Sequence, residues 1–151
     1  MNTYKEIISK CYSIIRSEGL IHDKMQMICN LLAEYFDNYD WVGFYLSDIK
    51  KRNLHLGPFY GESTEHKLIP YGRGVCGQVA EAKTTILIND ITREKNYISC
   101  DINVKSEIVV PIIKNSVVIG QIDVDSYKLN AFNDKDQKLL EEICIELSNY
   151  L

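Results

Sequence analysis

The stretch Ser106–Val124, SEIVVPIIKNSVVIGQIDV, sets the architecture of this chain. Branched apolar residues fill two arms, Ser106 to Ile113 and Val117 to Val124, on either side of the tight turn around Lys114-Asn115-Ser116. Two such runs about a short polar turn predict an antiparallel hairpin. The second arm continues as Gln121-Ile122-Asp123-Val124-Asp125, so Asp123 and Asp125 share one strand face while Ile122 and Val124 share the other. A three-residue loop would pair Glu107 opposite Asp123 and align all three carboxylates; a two-residue loop would point Glu107 the other way. Two acids at this spacing also fit a plain solvated face. With Glu107 beside them they form an acidic pocket wall that attracts an ammonium group or a metal ion. Crowding there would raise at least one carboxyl pKa and make a general acid available near neutrality.

Outward from the hairpin, the periodicity changes. Apolar residues at Tyr4, Ile7, Ile8, Cys11, Ile14 and Ile15 mark one face of a helix, and a second helix is expected from Asp23, as N-cap, to Phe36. Trp41 to Leu46 and Asn53 to Phe59 read as a strand pair joined by the polar Ser47 to Arg52. A loop over Glu62 to Lys67 leads to a short strand near Leu68-Ile69, a short helix from Val75 to about Ala82, and a strand over Thr84 to Ile88. Asp90 to Asn96 reads as a charged, mobile loop. A last helix opens at Asn133 or Asp134 and buries Leu139, Leu140, Ile143, Cys144 and Leu147. This order predicts one α+β domain spanning residues 1–151, built on an antiparallel sheet.

Composition narrows the function classes. The 151 residues can bury a core without disulfide staples. A net charge of −4 with interspersed signs argues against nucleic acid and against an anionic membrane surface. No signal layout opens the chain and no apolar run is long enough to span a bilayer, so a soluble, cytoplasmic protein is expected. The five cysteines form no CxxC or zinc-finger spacing, and most should be thiols in a reducing compartment.

Cys11, Cys29 and Cys144 fall on apolar helix faces, leaving Cys76 and Cys100. Cys76 lies in Gly72-Arg73-Gly74-Val75-Cys76-Gly77, which spells GxGxxG but lacks the long βαβ context of a dinucleotide site. It reads either as a first-turn thiolate, favoured by the helix dipole and Arg73, or as a small buried packing residue. Cys100 sits in a polar loop beside Asp101, whose charge would raise the thiol pKa. Local electrostatics alone therefore favours Cys76 as nucleophile. Trp41 and Tyr45 share a strand face, as core residues or as walls of an apolar pocket. The isolated His22, His55 and His66 offer no metal-ligand pair, and oxygen-only acids suit calcium or magnesium at best.

Taken together, these segments resemble the free methionine-(R)-sulfoxide reductases, single-domain members of the GAF family. The resemblance is carried in colinear order by Trp41-Val42-Gly43-Phe44-Tyr45, Leu56-Gly57-Pro58-Phe59, Gly72 to Gly77, Cys100-Asp101 with Ser106 to Pro111, and Asp123 to Ser126. It implies a GAF-like fold with a central antiparallel sheet of about six strands flanked by helices, and a small closed pocket on one sheet face. It further implies that Cys100 attacks the sulfoxide sulfur and Glu107 helps protonate the departing oxygen. Asp123 and Asp125 would hold the free methionine sulfoxide, with Trp41 and Tyr45 around its methyl end, and Cys76 would resolve the sulfenic acid to a disulfide that a thioredoxin-like reductant recycles. No metal or organic cofactor is required. The family pattern has a third cysteine that the segment from Glu62 to Lys67 lacks, so a two-cysteine cycle of Cys76 and Cys100 is expected. The competing expectations are a non-catalytic GAF sensor that binds a small ligand and an adaptor with an acidic docking face; a homodimer through the first helix fits any of them.

Overall fold

The computed structural model describes residues 3–97 and 101–151. In chain order it contains α1 (Thr3–Arg16), α2 (Ile21–Tyr35), β1 (Trp41–Asp48), β2 (Asn53–Tyr60), β3 (Leu68–Pro70), α3 (Gly74–Ala82), β4 (Ile86–Ile88), β5 (Ser106–Lys114), β6 (Val117–Ser126) and α4 (Asp134–Ser148). The strands form one six-stranded antiparallel sheet in the order β3-β2-β1-β6-β5-β4. This is the α+β architecture that the hydrophobic periods predict.

Each sheet face has its own apolar cluster, because side chains alternate along every strand. Val42 and Phe44 of β1, Ile108 and Val110 of β5, and Ile122 and Val124 of β6 pack against the apolar stripes of α1, α2 and α4. Cys11, Cys29 and Cys144 lie inside this layer. On the opposite face Trp41, Tyr45, Leu54 and Val109 meet Val75, Cys76 and Val79 of α3. Among the described residues α3 alone covers that side, so it is where a pocket can open.

Helix starts follow local chemistry, with one difference from expectation. Asn133 caps α4, accepting from the backbone N–H groups of Lys135 and Asp136, while Asp136 accepts from the Asn133 N–H in return. Asp23, expected as the cap of α2, instead lies in its first turn, where its negative charge complements the positive end of the helix dipole. Ile21 packs against the helix-side core and carries the helix back to Leu20, which occupies the N-cap position without a side-chain bond.

The β5–β6 hairpin settles the register, by a route the turn alone does not reveal. Asn115 and Ser116 both have positive φ, 51° and 65°, and Lys114 pairs with Val117, which defines a two-residue turn. Continued regularly, that turn would set Glu107 opposite Val124. A β-bulge intervenes: Ile112 pairs with Gly120 and Ile113 with Val118, leaving Ile119 as the extra residue. The shift sets Glu107 opposite Asp125 and Val109 opposite Asp123. The three acids share a face as the three-residue loop would have arranged, but Glu107 faces Asp125, and the bulge is the cause.

Candidate active site

On the α3 side of the sheet a small pocket with a cavity of about 50 Å³ gathers residues from distant segments. Its walls include Trp41, Tyr45, Cys76, Glu107, Asp123 and Asp125. Six of the seven residues singled out from the sequence are thus brought together; Cys100 lies outside the described residues. Neighbouring Asp101 lines the same pocket. Its carboxylate accepts from the Tyr127 hydroxyl at 2.5 Å and from the Asn103 N–H at 2.9 Å, which holds it below the usual carboxylate range.

The acid wall is built by sheet pairing. Trp41 stands opposite Asp125, and Gly43 opposite Asp123. Gly43 is required because the Trp41 ring lies over it: a Cβ there would sit 2.2 Å from Trp41 Cη2 and 2.9 Å from Phe59 Cβ. Trp41 stacks on Phe59 with ring centroids 5.6 Å apart and lies 6.4 Å from the Tyr45 ring. The result is an apolar, aromatic flank beside a floor of carboxyls.

Burial dominates the electrostatics of that floor. Glu107 and Asp123 are each only 5% exposed. The Glu107 carboxyl is pushed well above its ordinary range by desolvation first, then by the charges of Asp123 and Asp125. Asp125 is also raised well above the usual range by desolvation and by Asp123, and Asp123 is raised mainly by burial. The group therefore retains protons at pH values where exposed carboxyls are ionised. The carboxyls hydrogen-bond among themselves, yet Oδ1 of Asp123 and Oδ1 of Asp125 are buried without a partner of their own.

Cys76 enters this site from α3. The glycine-rich turn is explained by shape: Gly74 has φ +65°, and a Cβ on Gly77 would lie 2.6 Å from the Pro70 carbonyl oxygen. These positions let α3 seat closely on the end of β3, and no nucleotide site is needed to account for them. Of the two readings of Cys76, helix-activated thiolate or small buried residue, its surroundings favour the second. The thiol is 6% exposed and donates to Asp123 Oδ2 at 3.4 Å. Desolvation, followed by the charges of Asp123, Glu107 and Asp125, pushes it well above its normal range. Burial, reinforced by the neighbouring acids, thus outweighs the dipole of one short helix and favours the thiol over the thiolate.

One wall segment and one supporting clamp were not marked by the sequence. The loop between β2 and β3 contributes Ser63, Thr64 and His66. It is held by Trp41 Nε1–H donating to the Glu62 carbonyl at 3.0 Å and by the Tyr45 hydroxyl donating to the His66 carbonyl at 2.9 Å. The polar heads of the two aromatics were the available clue. The segment from Asp90 to Asn96, expected as mobile, contains a short 3₁₀ turn and ends in a two-sided clamp. Asn96 Oδ1 accepts from the Gly74 N–H and Asn96 Nδ2 donates to the Gly72 carbonyl, both at 2.8 Å. It pins the glycine turn ahead of Cys76.

A curled antiparallel sheet with three helices behind it and a capped small-molecule pocket in front is the arrangement of a GAF domain, and residues 21–150 match the GAF domain family. The chain is 36% identical to the free methionine-R-sulfoxide reductase of Escherichia coli over 121 residues, 80% of this chain and 72% of that protein. It is 34% identical to the free methionine-R-sulfoxide reductase of Saccharomyces cerevisiae over 142 residues, 86% of this chain and 78% of that one. The fold matches the structure of the Neisseria meningitidis free methionine-R-sulfoxide reductase in complex with its substrate, with a TM-score of 0.91 and 34% identity over 97% of this chain and 86% of that one. The chain belongs to the GAF domain family, and its relatives there include free methionine-R-sulfoxide reductases.

Proposed function

We propose that this protein reduces free methionine (R)-sulfoxide to methionine. The observation that carries the reading is the union, in one pocket, of an aromatic flank with buried carboxyls that retain protons and still offer unpartnered oxygens. The ammonium group of a free amino acid suits Oδ1 of Asp123 and Oδ1 of Asp125, since a buried charge needs a charged or hydrogen-bonding partner. A peptide-bound methionine has no ammonium there. Trp41 and Tyr45 receive the S-methyl end, and similarity to reductases from three organisms supports the same chemistry.

In the cycle, Cys100 attacks the sulfoxide sulfur while Glu107, kept protonated by its neighbours, gives its proton to the departing oxygen. Methionine leaves and the oxygen remains on Cys100 as a sulfenic acid. Cys76 then attacks Cys100 sulfur; water departs, carrying the oxygen, and an intramolecular disulfide forms. A thioredoxin-type dithiol reduces it by exchange, restoring both thiols and becoming oxidised itself. The upward shift of the Cys76 thiol supports its assignment to the second step, because a thiol pushed up by burial and then by three neighbouring acids is a poor first nucleophile.

The test is methionine production from racemic free methionine sulfoxide with dithiothreitol. Wild type should turn over and leave half of the racemate. Cys100→Ser should abolish turnover. A folded wild type with no activity overturns the reading, and activity that survives Cys100→Ser overturns the choice of nucleophile.

A further inference from the structure

The three acids alone form an oxygen-only ligand set, but the fold adds a sulfur to them. Among the described residues, one ligand atom each from Cys76, Glu107 and Asp123 lie within 4.8 Å of one another, and all three residues are buried. The Cys76 Sγ to Asp123 Oδ2 separation is 3.4 Å. Tetrahedral zinc with bonds of roughly 2.0–2.3 Å has ligand–ligand edges of about 3.3–3.8 Å. That pair is already at the spacing of such an edge. A separate observation also points to a ligand: Asp123, only 5% exposed, holds Oδ1 in the pocket without a donor, and Oδ1 of Asp125 is in the same state.

We propose that the reduced protein binds one zinc-class divalent cation in this pocket through Sγ of Cys76 and carboxylate oxygens of Glu107 and Asp123, with Asp125 beside them. The sulfur distinguishes the ion. Calcium and magnesium prefer oxygen-only shells, whereas a thiolate with carboxylates suits zinc or cobalt(II). On binding, the Cys76 thiol and the Glu107 carboxyl lose their protons to solvent, and sulfur and oxygen lone pairs form the metal bonds, with no change of oxidation state. The ion's charge replaces the repulsion among the acids with attraction. Oxidation of Cys76 to a disulfide removes the sulfur ligand, so binding is confined to the reduced form. The cation also occupies the acids assigned above to the substrate ammonium. It therefore competes with methionine sulfoxide, and that consequence alone rests on the proposed function.

The direct test is cobalt(II) titration of reduced, chelator-treated protein, followed by zinc displacement. The expected result is one equivalent bound with a near-ultraviolet thiolate-to-cobalt charge-transfer band, released by zinc. Cys76→Ser should remove the band. Asp123→Asn, which keeps every thiol, should weaken cobalt binding at least tenfold and remain informative if the serine variant fails to fold. A band that survives Cys76→Ser but disappears in Cys100→Ser overturns the ligand set. Turnover in the presence of chelator, with no cobalt uptake, overturns the cation site while the reductase reading stands. Cobalt uptake by a protein that does not reduce the sulfoxide supports the site and removes the competition.

Discussion

Glu107→Gln should lower activity and raise stability at neutral pH, and the size of the second effect follows from the site. Glu107 is 5% exposed, and burial together with Asp123 and Asp125 holds its carboxyl well above the ordinary range. In the unfolded chain the same group titrates near pH ~4.3. The folded state thus keeps a proton that the unfolded state has released. Its stabilising contribution is complete below the unfolded value and is lost as pH rises towards the raised folded value, at about 1.4 kcal/mol per pH unit. Glutamine has the same shape and does not titrate. Between pH 5.5 and 7.5, wild type should lose up to about 2.7 kcal/mol more than the variant. In a chain of this length that difference corresponds to roughly 5–11 °C in Tm. Urea denaturation of both proteins at half-unit pH steps and constant ionic strength measures it, with methionine production followed on the same samples. Turnover should fall about 10²–10⁴-fold, the usual contribution of a general acid. Parallel stability profiles for the two proteins, or a wild type that gains stability as pH rises through this window, would refute the reasoning.

Four other substitutions test other parts of the pocket. Asp123→Asn and Asp125→Asn each remove a charged partner worth about 1.5–3 kcal/mol and should raise KM for free methionine sulfoxide at least tenfold; unchanged KM values would place the ammonium elsewhere. Cys76→Ser should still release methionine in a single turnover but accumulate a sulfenic acid on Cys100, trapped by dimedone and located by mass spectrometry, where wild type forms a disulfide. Gly43→Ala drives a methyl group to 2.2 Å from Trp41 Cη2. It should cost about 1–3 kcal/mol in denaturation and shift the emission of this chain's single tryptophan.

The elements were legible because periodicity reports burial: the apolar faces from Tyr4 to Ile15 and from Leu139 to Leu147 both pack as helix stripes, and alternation in Gln121 to Asp125 correctly set the acids apart from Ile122 and Val124. The alignment of Glu107 with those acids was harder to read. It depends on a bulge at Ile119, and nothing in Val117-Val118-Ile119-Gly120 distinguishes a regular ladder from one with an extra residue. The choice between a thiolate and a buried thiol at Cys76 stayed open for a related reason. Sequence neighbours supplied Arg73 and a helix start, whereas the groups that control the thiol lie 31, 47 and 49 positions away in Glu107, Asp123 and Asp125. The wall from Ser63 to His66 was hidden because a polar loop looks the same whether it faces solvent or a pocket.

That wall is held in an unusual manner: Trp41 and Tyr45 grip it through the main-chain carbonyls of Glu62 and His66, and both anchors belong to β1. A carbonyl is supplied by every residue type, so the loop's path is indifferent to most substitutions along it. Evolution can therefore exchange side chains at Ser63, Glu65 or His66 while the backbone stays registered over the pocket. Such a segment is a natural place for relatives to diverge in thiol content or in substrate range without refolding the domain.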